Sequence, residues 1–325
     1  MANTVFSVGY IGSHNLHMFA QKDFNYPVPC LNATSGCFYN GAPTFSNASG
    51  AFNPRLSSLY SSLQLADNLA DSHYHALQTS LNRRFSAGWQ MQVSYTWSKS
   101  IDNSSGTYGL DGGGAVSNPT NVASDRGLSN FSRTHNFRLS GIYALPFKAK
   151  GLMGGVVNGW QLTGAFTYLS GAPANITSAN NRVFNSTGGN TGRPNVVPGC
   201  DIYSGQSLHG LWFNPNCYTL QAIGTYGNLG RDTIIGPNLW NLDNSLSKDF
   251  KVTKISEQFA VQFRAEFFNI LNHPSFQNPI TANIFAGNPG PGPQAPGVAL
   301  NSSAGTITAT NSQPRQLQLA LKITF

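Results

Sequence analysis

The chain has 325 residues, of which 10% are charged and 12% aromatic, with a formal net charge of +7. Soluble proteins carry roughly 25% charged residues; here Asn, Ser, Thr, Gln and Gly supply the polarity instead, at a mean hydropathy of −0.21, which fits a β protein with long loops and disfavours a helical enzyme. Lys and Arg are scattered rather than clustered, which argues against nucleic acid as a partner; no stretch approaches the ~20 apolar residues of a transmembrane helix, and "MANTVFSVGY" lacks the basic and apolar regions of a signal peptide.

Strict alternation of apolar and polar residues is the main signal along the chain. "TVFSVGYIG" and "HNLHMFAQ" predict a hairpin with its turn near residues 11–13. Residues 56–70, "LSSLYSSLQLADNLA", read as a short helix or an extra strand. Next, Leu77, Thr79, Leu81, Arg83 and Phe85 share one strand face, with Gln78, Ser80, Asn82 and Arg84 on the other. After the short turn "SAG", Trp89, Met91, Val93, Tyr95 and Trp97 alternate with Gln90, Gln92, Ser94, Thr96 and Ser98. "FRLSGIYAL", "WQLTGAFTY", the weaker "WNLDNSLSKDF", "FAVQFRAEFFNI" and the terminal "RQLQLALKITF" repeat the pattern. In the last of these, Leu317, Leu319, Leu321, Ile323 and Phe325 fall on one face. The total is about nine strands, of the ~9–11-residue class that crosses a bilayer as a tilted strand.

The connections alternate between short and long. Short ones lie near 11–13, 86–88, 147–156 and 251–257; long ones cover about 22–72, 101–133, 171–238 and 270–314. In an up-and-down sheet every second connection lies on the same side, so all long loops emerge on one rim and all short turns on the other, as in outer-membrane barrels. One face is Trp, Phe, Tyr, Leu and Val, and the other is Gln, Ser, Asn, Thr, Arg and Glu. Lipid demands that every backbone polar group be paired, hence a closed sheet with apolar residues outward and polar residues toward a wet lumen. Trp89, Trp97, Trp160, Tyr168, Trp240 and Phe325 fall near strand ends, as interfacial girdles require. The fold class is therefore all-β: an antiparallel up-and-down transmembrane β-barrel. A soluble β-sandwich is the competing reading, and it has no reason to sort its loops by length.

Five stretches, in order, resemble the Oar-like TonB-dependent outer-membrane proteins: "YHALQTSLNRRFSAGWQMQVSYTWSKSIDNSSG", "ASDRGLSNFSRTHNFRLSGIYALPF", "NGWQLTGAFTYLSGAPANI", "FRAEFFNILNHPSFQNP" and "PRQLQLALKITF". The resemblance spans nearly the whole chain. It implies a larger barrel of ~22 strands, with an N-terminal plug and a TonB-contacting segment, in the bacterial outer membrane. Residues 1–325 are expected to be its C-terminal barrel part, about nine strands of that barrel, without plug domain or signal peptide. Uptake of a bulky nutrient would belong to the full-length parent, and the TonB complex would be reached only through a missing N-terminal region. The alternative is an outer-membrane protein of adhesion or surface organisation that does not transport. The substrate is not readable from the loops.

Four cysteines, Cys30, Cys37, Cys200 and Cys217, fall in the first and third long loops, on the external rim and in an oxidising place. Their spacing suggests local bridges Cys30–Cys37 and Cys200–Cys217, although four cysteines allow three connectivities. Metal binding by them is the rival reading, without zinc-site spacing to support it. His73 and His75 share a strand face, whereas His14 and His17 do not; a solvated rim or lumen pair is the expectation, with metal binding as the rival, and no metal site is assigned. Arg264 and Glu266 share the lumen face and are expected to form a charge ladder with Arg83, Arg84 or Arg138. No catalytic or cofactor motif occurs, and loops so poor in His and acids assemble no catalytic cluster, so no enzyme is expected. Under the resemblance, Leu321, Ile323 and Phe325 look like the C-terminal signal read by the barrel-assembly machinery, recognised by strand addition.

Overall fold

The computed structural model describes residues 3–26, 38–39, 42–43, 57, 59–60, 63–106, 116–178, 192–221, 226–251, 260–285 and 299–325. Eight long strands carry the architecture: β1 (Thr4–Asp23), β2 (Gln64–Ser86), β3 (Trp89–Asp102), β4 (His135–Ala144), β5 (Trp160–Leu169), β6 (Leu239–Lys251), β7 (Ala260–Phe268) and β8 (Gln316–Thr324). They pair antiparallel in strict chain order, and a short ninth strand, Gly127–Leu128, adds to β3. The only α-helix among the described residues, α1, is the six-residue Leu152–Val157, and no described helix is long and apolar enough to cross a membrane.

Register fixes the two faces. Phe6, Leu81, Val93, Leu139, Phe166 and Leu242 are successive cross-strand partners, one apolar row over six strands. A second row runs Tyr143, Leu162, Leu246, Ala265 and Leu319. Because side chains alternate with period two, the intervening Gln, Ser, Asn and Thr residues share the opposite face along every strand. The apolar face stays uncovered: Leu321 is 72% exposed and Phe325 92%. A water-facing surface of that kind would aggregate, whereas lipid covers it without cost.

The connections follow the expected parity: 24–63, 103–134, 170–238 and 269–315 are long, and 87–88, 145–159 and 252–259 are short. Ala87 and Gly88 both have positive φ (52° and 85°), as a two-residue type I′ turn matched to strand twist requires.

Two expectations are corrected. Residues 4–23 are one 20-residue strand, not a hairpin. The 23-residue β2 pairs with β1 along its length, and a bulge between Asn15 and Ala20, with His17 at φ 57°, absorbs the register shift. Gly9 and Gly12 are strand positions opposite Gln78 and His75, and no turn forms near 11–13. The stretch 64–70 is likewise the first part of β2, so the main strands number eight.

Two cations lie at the short-turn end of the apolar face. Arg83 lies 3.8 Å from the Trp89 ring centroid. Lys248, 4% exposed, donates to the carbonyl oxygens of Gly155 and Val156 at the end of α1 and sits 4.6 Å from the Phe250 ring. Both reach polar or aromatic partners at the membrane boundary, as snorkelling side chains do.

Candidate functional site

The larger apolar core of the molecule lies in the long loops, and a smaller one joins Ala20 and Ala70 of the sheet to Val116. Ile176, Phe213, Cys217, Tyr218, Leu229 and Ile234 of the third loop pack with Ile284, Phe285 and Ala304 of the fourth. Short antiparallel pairs organise it, Asn195–Val196 with Tyr218–Thr219 and Pro173–Ala174 with Ile234–Ile235. The two loops are sewn together by main-chain bonds from Trp212 N to Gly305 O (2.7 Å) and from Thr177 N to Thr281 O (3.0 Å). A Cβ on Gly171 would stand 1.8 Å from the Gly236 carbonyl oxygen, so only glycine permits this approach. Burial drives the Tyr218 hydroxyl pKa well above its ordinary value, with Tyr203 adding to the shift.

Cys200 and Cys217 form a disulfide across this core, with a Cα separation of 5.4 Å. Cys30 and Cys37 lie outside the described residues.

Beneath the core, an ionic cluster joins the second and third loops to the end of β3. Arg231 donates to Asp102 through Nη2, to Ser105 Oγ through Nη1 (2.8 Å) and to the Asp125 carbonyl through Nε (2.8 Å). Arg193 pairs with Asp125 at 2.7 Å and donates to Ser124 O at 2.9 Å. Asp125 also accepts from Ser117 N at 2.7 Å. All four charged side chains are nearly buried. A Cβ on Gly127 would meet the Arg231 carbonyl oxygen at 2.5 Å, so the "DRG" glycine lets the chains close over the cluster. Asp232, at φ 54° and 3.7 Å from Arg231, is the fifth member. Burial pushes its carboxyl above the ordinary 3.8, against the pull of the Arg231 guanidinium. The acids of this assembly are each set against an arginine. The members are scattered along the chain, and its low charge content is the one sequence signal that singles them out.

On the polar face, Arg264 lies 3.5 Å from Glu266 and donates to Gln262 at 3.1 Å. Gln262 in turn donates to Asp249 at 2.9 Å. The expected ladder to Arg83 does not form, because Arg83 is on the opposite face with Leu81 and Met91; among the described residues no ion pair links Arg264 or Glu266 to Arg84 or Arg138 either. Local order at the loop end of β7 comes from Asn269, at φ 47°. Its amide donates to His273 O and Gln313 O, each at 3.0 Å, and its carbonyl oxygen accepts from His273 N at 2.9 Å. That one side chain fixes the "FFNILNHP" turn and ties it to the chain leading into β8.

Three groups on the rim were not assigned together from sequence. Register sets His14 directly opposite His73, with the rings stacked at 3.8 Å, and Asp71 Oδ2 lies 3.6 Å from His73 Nδ1. His75 is engaged separately, its Nδ1 2.5 Å from the Tyr10 hydroxyl.

At the C-terminus, Leu321 and Ile323 stand opposite Phe263 and Val261, and Phe325 follows the last paired residue, Thr324. The outer edges of β1 and β8 are unpaired among the described residues.

An antiparallel meander with one lipid-type face, one polar face and all long loops on one rim defines an outer-membrane β-barrel sheet. The chain belongs to the outer membrane beta barrel domain family, which it matches over residues 1–318, and its place is the bacterial outer membrane. No curated protein matches it. Among solved structures it is similar to FpvA of P. aeruginosa bound to heterologous pyoverdines, at 11% identity and a TM-score of 0.42 over 100% of this chain and 25% of that one. The outer membrane transporter YddB of Escherichia coli gives 10% identity and a TM-score of 0.44 over 99% and 30%. The ferric-catecholate import receptor Fiu of E. coli gives 10% and 0.36 over 100% and 33%. The chain thus spans a quarter to a third of the length of these proteins.

Proposed function

We propose that residues 1–325 are the C-terminal barrel segment of a TonB-dependent receptor that takes up a bulky nutrient. The observation that carries this reading is the open sheet: eight long strands in meander order, with the outer edges of β1 and β8 unpaired among the described residues. Lipid leaves no edge unpaired, and on this reading further strands of the parent close the wall. The family membership and the resemblance of five ordered motifs to Oar-like TonB-dependent proteins support it. On this reading the polar face with Arg264 and Glu266 lines the lumen. The loop assembly forms the mouth over it, and the plug and TonB contact lie in an N-terminal region of the parent. Leu321, Ile323 and Phe325 present the strand edge recognised by the barrel-assembly machinery. No step of this function is catalytic.

The second reading, adhesion or surface organisation without transport, draws support from the rigid loop assembly with its own core and disulfide. The two separate in cells. A strain lacking the gene is compared with its parent for growth on limiting nutrients, with and without a functional TonB complex. Loss of uptake of one nutrient that also requires TonB supports the receptor. Unchanged uptake together with lost surface attachment supports the second reading.

A further inference from the structure

We propose that His14, His73 and Asp71 form a binding site for a divalent transition-metal ion of the zinc class, with Arg126 as the resident cation that the ion displaces. The three ligand atoms lie within 4.8 Å of one another, and no other such group occurs among the described residues. Two imidazoles and a carboxylate are the nitrogen and oxygen donors that zinc and its neighbours take, leaving a further position for water.

The scaffold is rigid and its position is suitable. His14 and His73 are cross-strand partners on β1 and β2, so their approach is set by register. Asp71 sits where the β1 bulge interrupts that register, and its backbone is held from both sides by Asn103, whose Oδ1 accepts from Asp71 N at 2.8 Å and whose N donates to Asp71 O at 3.3 Å. Bulges of this kind re-aim side chains at sites. The pair stands four residues beyond the Tyr10–Leu77–Trp97 row that closes the apolar band. At ~3.4 Å per residue that is beyond the hydrocarbon, where an ion and its water are accessible.

Arg126 now fills the place a cation would take. Its Nη1 is 2.8 Å from Asp71 Oδ2 and its Nη2 is 3.1 Å from His73 Nδ1. A guanidinium donating to that nitrogen requires the neutral, lone-pair-bearing ring that a metal also requires. Arg126 is 42% exposed, so it can swing into solvent. Metal–nitrogen bonds of about 2.0 Å need donors roughly 3.3 Å apart, a closure that side-chain rotation on a fixed backbone supplies.

The test uses the protein purified from outer membranes in detergent and dialysed to equilibrium against zinc chloride, with cobalt absorption as a second probe of nitrogen ligation. Wild type should bind one zinc more than His14→Gln or His73→Gln, and the cobalt band should be lost in both. Arg126→Gln should bind at least tenfold more tightly than wild type, because the competing cation is gone. His209→Gln, in the exposed third loop, should leave both readouts unchanged. Asp71→Asn, which keeps the backbone contacts to Asn103, should weaken binding tenfold or more and guards against a folding defect in the histidine variants. Equal zinc binding in wild type and both histidine variants, or no gain in Arg126→Gln, overturns the site.

Discussion

The charged residues of the loops show how few side chains hold the external assembly. Asp125 with Arg193, and Asp102 with Arg231, are nearly buried ion pairs. Removing one partner from such a pair strands the other's charge, at a cost of about 3–5 kcal/mol. Arg231→Ala should therefore loosen the second and third loops together, seen as faster trypsin cleavage in both on intact cells, while Lys150→Ala in a short connection should not. Asp232 behaves oppositely. Its folded pKa is raised, so the folded state binds the proton more tightly than the unfolded one, and ionisation subtracts stability as pH rises from the ordinary 3.8 through the raised value. The stability difference between Asp232→Asn and wild type should shift in favour of the variant over that window and level off above it. A difference independent of pH, measured by thermal unfolding between pH 3 and 8, would contradict the assigned burial. None of these partnerships was legible in the sequence. Asp102 and Arg231 are 129 residues apart, and no periodicity connects positions in different loops.

Elements were far more readable, because a lipid-facing strand must alternate. β3 was legible in "WQMQVSYTWSKS" since its apolar residues alternate strictly, with Val93 set between Leu81 and Leu139 on the neighbouring strands. β1 was not, because Gly9, Gly12 and Ser13 imitate turn chemistry while pairing as strand residues opposite Gln78, His75 and Tyr74. The loop core was hidden for another reason: its apolar residues, such as Phe213 and Ile284, sit in short clusters without strand or helix period in Asn- and Pro-containing sequence. Phe213 is fully buried and meets Tyr218 edge-on at 6.0 Å, so Phe213→Ala should cost the loop assembly about 3–5 kcal/mol. Reduction of Cys200–Cys217, with a sequence separation of 17, should cost it roughly 3 kcal/mol by restored loop entropy. Both are measurable as a lowered denaturant midpoint of Trp212 fluorescence, with the barrel still folded. β8 gives a sharper test of assembly. Deletion of Phe325, or Phe325→Asp, should lower the amount of barrel in the outer membrane, judged by heat-modifiable mobility on gels. Lys322→Gln, on the polar face opposite Gln262, should not. Normal assembly without Phe325 would reduce that residue to a lipid contact.

For the whole molecule, the two faces and the two rims together set the orientation. The apolar rows meet lipid, Arg83 and Lys248 mark the inner boundary with their Trp and Phe partners, and the loop assembly stands outside. Strand order, face and loop parity all point to this one arrangement, and each follows from pairing every backbone group in a medium without water. The most direct measurement is labelling of intact cells with a membrane-impermeant thiol reagent after single cysteine substitutions on opposite rims, with the wild-type signal as background. His209→Cys, in the exposed third loop, should label in intact cells, and Lys150→Cys, in the short connection beside α1, only after the outer membrane is permeabilised. Labelling of Lys150→Cys and not His209→Cys in intact cells, or equal labelling of both, would contradict the account.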